Sequence, residues 1–227
     1  MSEVEVADIV LLSLKVSAVA MLFAVPIAFA VAWVLARHEF WGKSLLQALV
    51  TLPLVMPPVV TGYFLLVLFG FSGFAGRAFR TVGLDFAFRW EGAALAAGVM
   101  AFPLLVRPMR LSIETLDRGL EEAAATLGAG RLMRLLTITL PLVMPGVIAG
   151  AVLGFAKALG EFGATITFVS NIPGETQTLS LAIYSLLQSP AGDRAMAMLI
   201  AISACLAIGS VLLSEWVGRH IGQRRRR

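Results

Sequence analysis

Lys157 and Glu161 stand four residues apart in an otherwise apolar stretch. That spacing puts both on one face of a helix. Charges in such a setting are costly and mark function by default. Lys157 could attract a passing anion. Glu161 would repel the same anion unless it is paired with Lys157 or turned aside. A purely structural ion pair explains the spacing equally well. A second group, Glu121-Glu122-Ala123-Ala124-Ala125, combines acidic edges with a small, smooth face. That chemistry suits contact with a groove in a partner better than reaction. No H-E-x-x-H, G-x-S-x-G or G-x-x-x-x-G-K-[ST] pattern occurs, so the residues imply no catalytic centre and no ATP hydrolysis by this chain. Cys205 is the lone cysteine, which excludes an internal disulfide framework and a multi-cysteine zinc site; no metal site is expected.

The elements that must position these residues are apolar. Of 227 residues, 59% are hydrophobic and 14% charged, with a mean hydropathy of +0.88. Soluble domains carry about 25% charged residues. The chain is therefore read as an all-α membrane protein and not as a disordered or ordinary cytosolic one. Its net charge of +4 comes with a C-terminal run in which five of the last nine residues are Arg. Beside an apolar segment, that run reads as a cytoplasmic membrane flank, not a nucleic-acid site.

A membrane helix needs about 17–25 mostly apolar residues. Stretches poor in charge place five spans at Ile9–Ala36, Ser44–Gly76, Gly92–Val106 (extending to Ile113 if Arg107 and Arg110 snorkel), Leu135–Ala156 and Ala195–Ser214. Thr176–Gly192 is a weaker sixth candidate, polar enough to be a short helix that does not cross. The acidic start (Glu3, Glu5, Asp8) and the long first run argue for a retained helix over a secretory signal. With five spans and a cytoplasmic C-terminus, twelve of the 18 Lys and Arg fall inside and four outside. The expected orientation is N-terminus outside and C-terminus inside. Lys15 is expected to snorkel to the outer surface. Asn171–Glu175 reads as a tight turn.

Two segments echo each other. Thr51–Gly62 reads TLPLVMPPVVTG and Thr139–Gly150 reads TLPLVMPGVIAG, identical at nine of twelve positions. Chance in a Leu-, Val- and Pro-rich chain and a shared double-proline bend at the membrane entrance both account for it.

The segment of about residues 107–140 is the longest expected cytoplasmic loop. Asp117 is a good N-cap, Arg118–Leu127 favours helix, and Gly128 supplies a stop. An interfacial helix on lipid headgroups would want a basic polar face and bulky apolar residues. This helix is acidic and small-sided, which favours docking to a partner.

Glu122-Ala123-Ala124, three residues, Gly128, nine residues, then Ile138-Thr139-Leu140-Pro141 resembles the EAA loop of ATP-binding-cassette importer permeases. LPLVMPPVVTGYFLLVLFG from Leu52 and ALGEFGATITFVSNIPGETQTLSLAIYSLL from Ala158 resemble the molybdate branch of that family. The resemblance covers most of the chain between Leu45 and Leu187. It implies one permease domain over residues 1–227, with the type I importer transmembrane fold and a coupling segment at about 114–140. It also implies that Glu121, Glu122, Ala123, Ala124 and Gly128 couple to a cytoplasmic ATPase, with Ile138, Leu140 and Pro141 at the junction with the next span. Lys157, Glu161, Phe162 and Gly163 are carried over as candidates near the pathway or gate.

The implied partners are a second copy of the chain, two ATPase subunits that hold ATP and magnesium, and an extracytoplasmic molybdate-binding protein facing outer loops at about 71–91 and 164–194. The implied location is a bacterial or archaeal plasma (inner) membrane. No cofactor on this chain and no nucleic acid are implied. Sulfate permeases are similar but usually longer, and a sulfate-type oxyanion permease stays open. A stand-alone carrier or channel would leave the EAA loop unexplained.

Overall fold

The computed structural model describes residues 3–188 and 193–224, and among these there is no strand. The elements are α1 (Glu3–Arg37), α2 (Lys43–Val55), α3 (Pro58–Phe69), α4 (Phe74–Arg80), α5 (Trp90–Glu114), α6 (Arg118–Thr126), α7 (Arg131–Arg134), a π-helical turn (Leu135–Thr139), α8 (Leu140–Leu159), α9 (Gly163–Val169), α10 (Leu179–Leu187) and α11 (Asp193–Arg224). Among the described residues, four helices are long and apolar enough to cross a membrane. The bent pair α2–α3 makes a fifth if it counts as one span. The weak sixth candidate resolves as α10, whose nine residues reach only about 14 Å, too short to cross; residues 189–192 of that candidate lie outside the described residues.

α5 forms the centre, packed against both α1 and α8, which also touch each other. Small residues let these helices approach closely. On α1 the buried stripe runs Val16, Ala20, Ala24, Ala28, Ala32, Leu35, at intervals of four and then three. α5 answers with Ala93, Ala97, Ala101, Leu105, Met109 and Ile113. α8 presents Gly146, Gly150 and Gly154 to α5, a small-residue row of the kind that closes membrane helix pairs. A Cβ on Gly146 would lie 2.1 Å from Ser112 Oγ and 2.7 Å from the carbonyl oxygen of Pro108. Gly146→Ala is therefore expected to destabilise the protein by about 2 kcal/mol, read as a lower melting temperature in detergent. Adding Ser112→Ala should not restore it, because the Pro108 backbone remains in the way.

The echo segments do not share a conformation. In the first, Met56 and Pro57 are extended (ψ 146° and 132°), and α3 leaves α2 at 116°. Pro58 disfavours the helical region for Pro57, and Pro57 does the same for Met56. In the second, Gly146 replaces the following proline and the chain stays helical through Pro145. The shared double-proline bend is thus corrected: only Pro57-Pro58 breaks a helix. The long run Ser44–Gly76 is accordingly two helices plus the start of α4, with a turn at Gly70–Gly73.

Two positions on α1 mark the two sides of the apolar bundle. On one side Lys15 Nζ stands 3.6 Å from the centroid of the Trp90 ring, a cation–π contact at the start of α5. On the other, Arg37 meets α6. The offset from position 15 to position 37 rises about 33 Å along the helix, enough to cross a bilayer core. The Lys15–Trp90 end also carries the Arg89–Glu175 pair at 3.8 Å and the turn at Pro173-Gly174, closed by the Glu175 N–H on the Ile172 carbonyl, with Gly174 at φ +78°. At the connection between α1 and α2, Lys43 Nζ donates to Glu39 at 2.6 Å; that bond and the lysine charge hold the Glu39 carboxyl below its ordinary range.

Candidate functional site: the EAA segment and its anchor

α6 starts where Asp117 accepts the Gly119 N–H at 2.8 Å, the expected N-cap. It ends in a six-to-one closure. The Ala129 N–H reaches the Ala124 carbonyl and the Gly128 N–H reaches that of Ala125, both at 3.0 Å, with Gly128 at φ +85°. This is the Schellman arrangement, and it needs a left-handed residue at position 128. Nothing lies within 4 Å of a Cβ built on Gly128. The glycine is required here by its backbone angle, not by crowding.

The adjacent acidic residues do different work. Glu122 and Ala123 are exposed, as are Leu127, Leu132 and Met133 nearby. Glu121 turns inward. Its Oε1 accepts from Arg37 Nη2 at 2.9 Å and from Thr139 Oγ1 at 2.6 Å, while its backbone carbonyl accepts from Arg134 Nη1 at 3.3 Å. Thr139 is 1% exposed. Arg37 also packs on the Trp33 ring, 5.3 Å from its centroid. Arg37, Arg134 and Thr139 are site residues that sequence reasoning missed. Thr139 is the unspecified position of the I-x-L-P pattern. Arg37 lies 84 positions from its partner, and only folding brings them together.

Ile138 and Thr139 end the π turn, and Leu140 and Pro141 begin α8 without interruption. The Leu140 N–H bonds the Leu135 carbonyl, five residues back. The extra residue per turn rotates everything after it relative to α7. At the other edge, α5 extends through Glu114, so Arg107 and Arg110 belong to that helix and not to the loop.

The second candidate group sits where α8 breaks. Lys157 Nζ and Glu161 Oε2 form an ion pair, with the lysine side chain 30% exposed and the glutamate 2%. Glu161 Oε1 accepts the Ala164 N–H at 3.1 Å, so the carboxylate also caps α9. Phe162 packs on Tyr184, ring centroids 4.8 Å apart. Gly163 lies against Pro58, and a Cβ on Gly62 would come within 2.5 Å of the Ala164 carbonyl oxygen. These contacts correct one expectation. Residues 164–169 are not outer loop but a helix inside the bundle, with Ala164, Phe168 and Val169 buried. The exposed turn begins at Ser170.

Residues 24–227 match the family of binding-protein-dependent transport system inner membrane components. The chain belongs to this permease family. It is 57% identical over 211 residues to the molybdenum transport system permease protein ModB of Escherichia coli K12, and 54% identical over 211 residues to that of Haemophilus influenzae, covering 92% of both chains in each comparison. The sulfate transport system permease protein CysT of Salmonella typhimurium is 37% identical over 84% of this chain and 70% of its own. Among solved structures, a bacterial importer of alginate aligns over 97% of this chain and 81% of its own with a TM-score of 0.74 at 22% identity. The methionine transporter MetNI aligns over 97% and 99% with a TM-score of 0.73 at 16% identity. Both likenesses concern the fold: this permease has the transmembrane architecture of such importers.

Proposed function

We propose that this chain is the membrane permease of an ATP-driven importer of molybdate, with tungstate as an equivalent dianion. The observation that carries the ATP-driven part is α6. It stands at one end of the bundle with Glu122 and Ala123 exposed, closed by a left-handed Gly128 and anchored inward by Glu121. That is the shape of an element meant to be gripped by a partner. The anion assignment is supported by the 57% identity to a molybdenum permease, against 37% to a sulfate permease.

In this reading residues 1–227 form one non-catalytic permease domain in the plasma (inner) membrane, N-terminus outside and C-terminus cytoplasmic. Glu122, Ala123, Ala124 and Gly128 meet the ATPase. Ile138, Leu140 and Pro141 carry movement into α8. ATP and magnesium stay on the ATPase, and this chain binds no cofactor of its own. An extracytoplasmic binding protein delivers the anion to the end marked by Lys15, Trp90 and the Ser170–Thr178 turn.

Such ATPases work in pairs and each chain offers one α6, so two copies surround the pathway. The exposed apolar side of α2 and α3, with Leu49, Val55, Val59, Tyr63 and Phe64, supplies surface for the second copy and for lipid. Lys157, Glu161, Phe162 and Gly163 border the pathway. Glu161 acts there by holding the α8–α9 break, and the partly exposed Lys157 is the cation an anion would meet.

The expected result is ATP-dependent uptake of labelled molybdate into vesicles holding this permease, its ATPase and its binding protein. Tungstate should block it and sulfate should not. Competition by sulfate would move the assignment to the sulfate branch. Uptake without ATP or the ATPase would overturn the importer reading in favour of a carrier.

A further inference from the structure

We infer that Glu121 is the positioning residue of the coupling element, joining α6 to both α1 and α8. The inference rests on the coupling role proposed above for α6. Among the described residues, every hydrogen bond or ion pair recorded between α6 and another element passes through Glu121. Its Oε1 atom gathers a guanidinium from the end of α1 and a hydroxyl from the start of α8. Its carbonyl takes a third bond, from Arg134 of α7. The side chains are largely enclosed, 11% exposed for Arg37 and 20% for Glu121. Charge-assisted bonds sheltered from water are short, directional and stronger than neutral ones.

The neighbouring geometry has the same purpose. Thr139 is the last residue of the π turn, and without that extra residue a regular helix would turn its hydroxyl by about 100°. Among the described side chains, Thr126 of α6 bonds only locally, Oγ1 to the Ala123 carbonyl at 2.7 Å. A pull on the exposed side of α6 therefore reaches α1 through this carboxylate, and α8 through the same carboxylate, the Arg134 bond and the chain itself along α7. Glu121 links elements within the chain, whereas Glu122 faces outward.

The test uses the full complex in proteoliposomes, measuring labelled molybdate uptake and ATP hydrolysis in the same preparation. Glu121→Gln keeps the shape and weakens both charge-assisted bonds. Expected is a fall of about tenfold in molybdate taken up per ATP hydrolysed, the size of effect that losing a bond to a charged group produces. The ATPase should stay bound through purification. Arg37→Gln should lower the same ratio, and combining it with Glu121→Gln should add little, because both remove one interaction. Thr139→Val provides a second probe if the Glu121→Gln permease itself does not fold. An unchanged ratio in Glu121→Gln and Thr139→Val would overturn the inference and leave the importer reading intact. Loss of the ATPase from Glu121→Gln would also overturn it, by making Glu121 a docking contact. Wild-type uptake without ATP would remove the underlying reading instead.

Discussion

Lys157→Met is expected to lower the melting temperature of the purified protein more than the double change Lys157→Met with Glu161→Gln. Glu161 is 2% exposed, with one oxygen on Lys157 and the other on the Ala164 N–H. Removing the lysine leaves a buried carboxylate with a single neutral donor. Breaking one side of such a pair costs about 3 kcal/mol. Gln at position 161 still offers an oxygen to the Ala164 N–H and carries no charge, so the double variant should lose about 1 kcal/mol. Equal melting of single and double variants would show that the pair contributes nothing.

The same two variants separate the roles that the sequence leaves open for this pair. Suppose the pair only holds the α8–α9 break. Molybdate uptake should then return with stability in the double variant. If Lys157 also meets the anion, the double variant folds and still fails to transport. In the unmodified protein the Glu161 charge is paired with Lys157 and its second oxygen accepts the Ala164 N–H.

Gly128→Trp is expected to abolish ATP-dependent uptake while leaving the transmembrane bundle folded. Two effects combine at this position. The backbone sits at φ +85°, where a side chain costs about 1–2 kcal/mol. Nothing lies within 4 Å of a Cβ at this position, so an indole starts from open space and projects beside the exposed EAA surface. Smaller variants separate these effects. Gly128→Ala carries the strain without the bulk and should keep most uptake. Gly128→Asn tolerates the left-handed angle and should keep more. A nearly normal rate in Gly128→Trp at normal protein levels would remove position 128 from the docking surface. Equal loss in Ala and Trp would place the effect in the shape of the helix end.

Much of this permease is legible from local chemistry. Runs of apolar residues define where helices can cross, because lipid demands that each backbone group be satisfied within its own segment. Asp117 and Gly128 delimit α6 because capping depends on neighbours a few residues away. Lys157 and Glu161 find each other because four residues make one helical turn. The short, polar character of Thr176–Gly192 foretells a helix that does not cross.

What the sequence leaves undecided depends on residues far apart in the chain. Thr51–Gly62 and Thr139–Gly150 look alike, yet one bends at Pro57-Pro58 and the other stays straight with Gly146 against Pro108 and Ser112. A single Pro-to-Gly difference, together with the helix packed against it, decides between the two. α9 belongs to the bundle and not to the outer loop, because Gly62 lets α3 approach its backbone. Glu121 and Glu122 are chemically identical neighbours. Only the position of Arg37, 84 residues away, and the register set by the π turn at Thr139 send one inward to bond both helices and leave the other exposed. Composition and short-range spacing determined that this chain is a multi-span membrane protein with a capped helix between α5 and α8; its membership of the permease family rests on the longer motifs and the family match. The tertiary structure decided which residues join that helix to the spans, because that requires three distant segments to meet at one carboxylate oxygen.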